Sequence, residues 1–308
     1  MHAGPHLADP AISWRNPVPT SRLDRAPAPV LVLTAIASVQ VGSAVARGLF
    51  DELGAAGTTL LRVGLAALLL LAVTRPRVRQ WTPQVWRAVV LLGVVMGVMN
   101  LVFYASLRTV PLGIAVTVEF LGPLLLALVQ TRRLLDLCWA LLAGAGVVLL
   151  GADSTSGVPL TGLALALLAG VCWATYILAS ASLGRLLPGT GGLAVALAVA
   201  TVVALPFGAS GASGVVDRPV LLLSAAFVAL LSSVLSYGLE LSALRRIPTR
   251  VFGVLMSAEP AAAAVAGFLV LGQQLGPREL VALVLVSLAS IGVTVGRRGD
   301  AAPVQPLE

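Results

Sequence analysis

Four ionisable residues stand inside otherwise apolar stretches: Arg62, Glu119, Glu240 and Glu259. A charge at the centre of a bilayer costs about 2.5–3.5 kcal/mol on insertion scales, so a chain keeps one there only where it meets a partner or performs a task. Carboxylates in such a place can accept an ammonium group or carry a proton, and a guanidinium can hold a carboxylate. Glu119 and Glu259 are therefore candidate substrate-binding and proton-coupling groups. Arg62 is a candidate ligand for a substrate carboxylate, or half of a structural ion pair with a glutamate. Glu240 lies near the end of its apolar run, where it could snorkel, carry a proton or, with Tyr237 three residues earlier, form a cytoplasmic gate. Asn100 and Tyr104, four apart and so on one helix face, join Tyr176 as further candidate binding groups. Gln40 and Tyr237 add hydrogen-bonding capacity. For these neutral residues, bonds between helices are the plainer reading.

The elements that must position these groups follow from composition. The chain has 308 residues, 58% of them hydrophobic and 11% charged, with a mean hydropathy of +0.99. Soluble domains carry roughly 25% charged residues, which excludes an ordinary water-soluble enzyme. Apolar runs near the roughly 20 residues that span a bilayer predict helices at 30–49, 54–74, 87–107, 112–130, 134–151, 160–183, 190–209, 219–242, 250–272 and 277–296. The expectation is an all-α membrane protein of ten transmembrane helices. Residues 1–29, Pro-rich and without an apolar run, read as a disordered cytoplasmic tail, and 299–308 as a second one. The first apolar run starts at Val30, too late and too long for a cleaved leader, and reads as a retained helix.

Charge placement tests the count. All 20 basic residues are Arg. With a cytoplasmic N-terminus, the inner segments hold fifteen of them (15, 22, 25, 75, 77, 79, 87, 132, 133, 185, 245, 246, 250, 297 and 298) and the outer ones four, Arg47, Arg108, Arg218 and Arg278. That alternation obeys the positive-inside rule along the whole chain and puts both termini in the cytoplasm. The positive charge belongs to membrane topology, with no nucleic-acid partner implied.

The two halves resemble each other. LRTVPLGIAVTVEFLGP (107–123) matches LRRIPTRVFGVLMSAEP (244–260) at an offset of 137 residues, and 30–45 opens the first half much as 163–178 opens the second. Five helices per half, 30–151 and 152–298, make the second copy enter the membrane inverted, a design suited to alternating access. Depth arithmetic brings the charges to one level. At about 1.5 Å per residue, Arg62 and Glu119 each lie about 12 Å from the outer face and Glu259 about 14 Å from it in a core about 30 Å thick. Pro123 leaves the carbonyl of Glu119 without its helical donor, and Pro260 does the same for Met256. Broken helices at that depth belong beside a cavity. Gly93, Gly97, Gly144 and Gly146 read as helix-packing spacers.

Other chemistries find no support. His2 and His6 fall in the N-terminal tail, so no imidazole serves catalysis or a metal, and Cys138 and Cys172 read as isolated core residues. No cofactor is implied. A GxxxxGK[ST] phosphate loop is absent, and a lipid-modifying membrane enzyme would need a nucleophile beside a base.

The motifs RTVPLGIAVTVEFLGPL (108–124), GVCWATYIL (170–178), SYGLELSALRRIPTRVFGVLMSAEPA (236–261) and FLVLGQQL (268–275) resemble the drug/metabolite transporter superfamily in its ten-helix, EamA-type branch. More narrowly, they resemble that branch's bacterial inner-membrane exporters of threonine and homoserine. The resemblance implies a carrier exporting small zwitterionic amino acids by exchange with protons across the cytoplasmic membrane. A metabolite or cationic drug is the alternative cargo. Many relatives have Gly-Glu where this chain has Gly272-Gln273. If that carboxylate moves protons in them, the task here falls to Glu119, Glu240 or Glu259.

Overall fold

The computed structural model describes residues 26–129, 134–151, 158–187, 189–244, 246, 247, 252 and 255–296. Most of both tails and Arg132, Arg133, Arg245, Arg250, Arg297 and Arg298 lie outside them. Among the described residues the secondary structure is helical, with no strand. The helices are α1 (Ala28–Gly48), α2 (Phe50–Thr74), α3 (Pro83–Ser106), α4 (Leu112–Glu119), α5 (Leu121–Val129), α6 (Leu134–Gly151), α7 (Leu160–Leu186), α8 (Gly191–Ala212), α9 (Gly214–Asp217), α10 (Val220–Ala229), α11 (Ser236–Leu244), α12 (Glu259–Leu271) and α13 (Pro277–Gly296). A π-helical segment, Leu230–Leu235, joins α10 to α11.

Local chemistry sets the ends. Prolines open α1, α3 and α12 in their first turns, where a missing N–H is harmless. Thr82 caps α3 by accepting from the Val85 amide, and α12 stops at Gly272 with φ 65°, the left-handed C-terminal turn that glycine favours. Two expected spans are discontinuous. The run 112–130 breaks at Phe120 between α4 and α5, and the run 250–272 has a turn at Ser257–Ala258 ahead of α12. Pro260 thus stands in a first turn and not in a helix interior. The run starting at Gly54 begins earlier, at Phe50, and bends at Gly54, whose φ is 67°.

Six helical stretches are long and apolar enough to cross a membrane: Ala28–Gly48, Phe50–Thr74, Pro83–Ser106, Leu160–Leu186, Gly191–Ala212 and Val220–Glu240. The helices of the bundle, these and the shorter ones, are apolar outside as well as inside. Leu68, Val73, Val129, Val202, Phe207, Leu223 and Leu269 are all exposed, a surface for lipid rather than water. Cys138, expected in the core, is exposed on α6, where lipid accepts an apolar thiol as readily as a core does.

Packing pairs α2 with α8, α6 with α13 and α4 with α12, while α3 lies on α7 as α1 lies on α11, and α4 on α7 as α1 on α12. Small residues set these distances. A Cβ at Gly93 would sit 2.5 Å from the Ala196 carbonyl and one at Gly97 2.9 Å from Val203, both on α8, and one at Gly146 3.0 Å from the Ala282 carbonyl of α13. Gly144 meets nothing within 4 Å. It faces outward and is not the spacer its neighbour is.

Candidate functional site

In the bundle's interior lies a cavity of about 90 Å³, lined by α1, α2, α3, α4, α7, α11 and the first residue of α12. A water needs roughly 10–15 Å³ on this measure, so the space suits about six waters or one small metabolite. Arg62, Asn100, Glu119, Tyr176, Tyr237, Glu240 and Glu259 all line it. Residues scattered over 198 positions of sequence, from 62 to 259, thus meet in one chamber.

Arg62 is 5% exposed and is held by neutral groups. Its Nε donates to Ser233 Oγ (3.2 Å), Nη1 to Tyr104 Oη (2.9 Å) and Nη2 to the Ser232 carbonyl (3.0 Å). The guanidinium also lies 5.2 Å from the centroid of the Tyr104 ring, a cation–π distance. Among the described residues no ion pair joins Arg62 to a glutamate, which removes the structural ion pair considered from sequence. Two of its three acceptors belong to the π-helical segment. Such segments leave carbonyls without the usual i→i+4 donor, and Arg62 supplies one while Ser38 Oγ on α1 donates to the Leu231 carbonyl at 2.8 Å. The segment is clasped from α1 and α2 together.

Tyr104 stands behind the wall. Fully buried between Phe50 and Phe103, with centroids 5.6 and 6.1 Å away, it orients Arg62 and does not line the cavity, unlike Asn100 one turn earlier. Asn100 Nδ2 donates to the Met96 carbonyl (2.8 Å), leaving its Oδ1 for the chamber. Tyr176 and Tyr237 face each other with centroids 6.3 Å apart, and Glu240 follows Tyr237 by almost one turn.

The carboxylates are differently placed. Glu119 ends α4 and Glu259 begins α12, so the one meets the carbonyl end of a helix and the other the amide end. Among the described residues none of Glu119, Glu240 and Glu259 receives a protein hydrogen bond. Charge left so can be met by a proton, by a cation from solution or by the Arg62 guanidinium across the chamber. The break at Glu119 is sealed by glycine. A Cβ on Gly170 of α7 would lie 2.5 Å from the Glu119 carbonyl, and one on Gly122 would strike the Gly170 carbonyl. Pro123, at the third position of α5, is what leaves that carbonyl open to this approach, while the turn before Pro260 is tied to α13 by the Ser257 and Ser290 hydroxyls, 2.7 Å apart. Gly170→Ala is expected to destabilise the protein by about 1–3 kcal/mol through overpacking, read as a lower melting temperature in detergent. Gly184→Ala on the same helix, where a Cβ meets nothing within 4 Å, is expected to be neutral or stabilising.

Sequence reasoning missed three features: the π-helical clasp, the lack of partners for Gln40 Oε1 and Ser236 Oγ, and the task of Gln273. Its Oε1 accepts from the Leu112 amide at 3.0 Å, satisfying a free N–H at the start of α4. An amide does that without charge, and among the described residues this position does not line the cavity.

Comparison with known proteins agrees with this architecture. The family described as "EamA-like transporter family" matches residues 160–295. The chain is 43% identical over 274 residues to the threonine/homoserine exporter RhtA of Escherichia coli (strain K12), covering 88% of this chain and 92% of that one. It is 43% identical over 276 residues to the exporter of the same name from Salmonella typhimurium (strain LT2), covering 88% and 93%. A solved crystal structure of another protein, 18% identical, superposes with a TM-score of 0.50 over 89% of this chain and 99% of that one, a likeness of fold alone. Sustained identity across nearly the full length of both exporters, together with a helical bundle clad in apolar side chains, shows that this multi-pass membrane protein belongs to the EamA-like transporter family.

Proposed function

We propose that the protein is a secondary active exporter of small amino acids of the threonine and homoserine kind, working by proton antiport with alternating access in a bacterial cytoplasmic membrane. The observation that carries this is the buried chamber in which Arg62 and three carboxylates without protein donors face one another. A zwitterion fits that arrangement. Glu119 or Glu259 receives its ammonium group, Arg62 and Asn100 bear on its carboxylate, and Tyr176 closes one side, while Glu119, Glu240 or Glu259 takes the returning proton and Tyr237 with Glu240 gates the cytoplasmic end. The 43% identity to proteins named threonine/homoserine exporters supports the cargo.

Ten crossings in two inverted halves, 30–151 and 152–298, support the mechanism. The reading rests on the charge alternation and on the reciprocity of several contacts between the halves, in which α3 on α7 answers α1 on α11 and α4 on α7 answers α1 on α12. Reciprocal contacts of that kind are what a two-fold axis produces. Tails 1–29 and 299–308 then lie in the cytoplasm. One proton moved through 100 mV supplies about 2.3 kcal/mol, enough for a substrate ratio of roughly fifty.

Vesicles containing the purified protein and loaded with labelled threonine or homoserine test this. Export against a gradient is expected when a pH difference is imposed and to stop when it is collapsed. Carboxylates outnumber arginine three to one in the chamber, which favours a cation as the competing cargo. Inhibition by a polyamine but not by homoserine would establish that cargo instead.

A further inference from the structure

We propose that Gln40 and Ser236 recognise the hydroxyl group of the substrate's side chain and so set the preference for hydroxylated amino acids. The assignment rests on the carrier reading above and specifies what its chamber selects. Gln40 on α1 is 4% exposed and Ser236 at the start of α11 is 1% exposed, yet Gln40 Oε1 and Ser236 Oγ have no hydrogen-bond partner. Both residues line the cavity. Buried polar side-chain atoms are nearly always paired, and two unpaired ones on residues that line the same small space create a specific demand on whatever fills it.

The charged groups of the chamber and Asn100 do not share that demand. Arg62 has three bonds and Asn100 Nδ2 has one, all to protein, and the carboxylates suit a cationic group. What Gln40 Oε1 lacks is a donor, and Ser236 Oγ can give or take a hydrogen bond. An alcohol does both at once. If the Gln40 amide is turned the other way, its NH₂ fills the same place and the alcohol oxygen accepts from it. A methyl or methylene group answers neither residue and would seal both polar atoms against hydrocarbon. Ser232 Oγ is also unpaired, but it faces Gly42 of α1 and does not line the cavity. A packing function for Gln40 and Ser236 would have left them bonded across the α1–α11 contact, as Ser38 is bonded to Leu231.

The test compares threonine and homoserine with 2-aminobutyrate, which is either of them with the hydroxyl replaced by hydrogen. Export from vesicles under a fixed pH gradient is measured for the unaltered protein, Ser236→Ala and the double variant Gln40→Met with Ser236→Ala. The unaltered protein is expected to favour threonine over 2-aminobutyrate by about tenfold in rate at subsaturating concentration. Ser236→Ala removes a group that bonds to nothing, so it should fold normally and reduce that ratio about threefold. The double variant should bring it to within about twofold of unity, with threonine export falling and 2-aminobutyrate export equal to or above that of the unaltered protein because the unpaired polar atoms it would have sealed are gone, a pattern that general damage to the chamber would not give. An unaltered ratio in the double variant overturns the assignment and leaves the carrier reading standing. A parallel fall for both substrates overturns it too, by showing that the residues only support the chamber. Failure of the unaltered protein to export any of the three removes the carrier reading and this assignment with it.

Discussion

Replacing Glu259 by Gln is expected to abolish uphill export. A vesicle that builds a roughly fiftyfold threonine ratio under a proton-motive force of about 100 mV should reach only unity. The substitution keeps size and hydrogen-bonding surface but removes the proton and the charge. Glu259 is 5% exposed, begins α12 and receives no protein hydrogen bond among the described residues. No structural bond is lost with its charge, so the protein should stay folded, with a melting temperature close to that of the parent. Exchange of labelled for unlabelled threonine without a gradient separates the two tasks proposed for the residue. If Glu259 only carries the proton, exchange survives while uphill export fails. If it also receives the ammonium group, both fail. Undiminished proton-driven export in this variant would take Glu259 out of the mechanism and leave the coupling to Glu119 or Glu240.

The gathering of Arg62, Glu119 and Glu259 was legible before any coordinates because hydrocarbon is intolerant. Charges are so costly there that those retained must share an interior, and the fixed rise of a helix converts sequence distance into depth. The same argument could not place Tyr104. A spacing of four puts it on the face of Asn100, but α3 packs on both α7 and α8, and one turn along the helix is enough to pass from cavity wall to the layer behind it. Pro260 shows a second limit. Proline is as acceptable in a first turn as it is disruptive in an interior, so it announces a discontinuity without saying on which side of it the helix resumes. The π-helical clasp left no readable trace, since Ser232 and Ser233 look like small packing residues until the partners on α1 and α2 are known. Gln273 looked like a lost carboxylate, whereas it is a gained cap for α4.

That clasp gives the second large effect. Arg62→Lys, which keeps the positive charge, is expected to lose at least about a hundredfold in export, nearly as much as Arg62→Leu. A lysine ammonium is a point charge on a flexible stem, whereas the guanidinium is a rigid fork whose three nitrogens are matched to Ser233 Oγ, Tyr104 Oη and the Ser232 carbonyl. Lysine cannot serve all three, and each buried group left unpaired costs about 1–3 kcal/mol. The melting temperature should therefore fall in both variants. If Arg62 served only as counter-charge to the substrate carboxylate, Arg62→Lys would keep export within about tenfold of the parent and keep the stability too, because the ammonium could still attract that group. Ser38→Ala tests the clasp from its other side. It breaks the bond to the Leu231 carbonyl without touching any charge or any residue lining the cavity, and it should lower export about two- to tenfold. Since Ser38 does not itself line the cavity, that loss is expected to come through loosening of the π-helical segment, whose end carries Ser236, Tyr237 and Glu240 into the chamber.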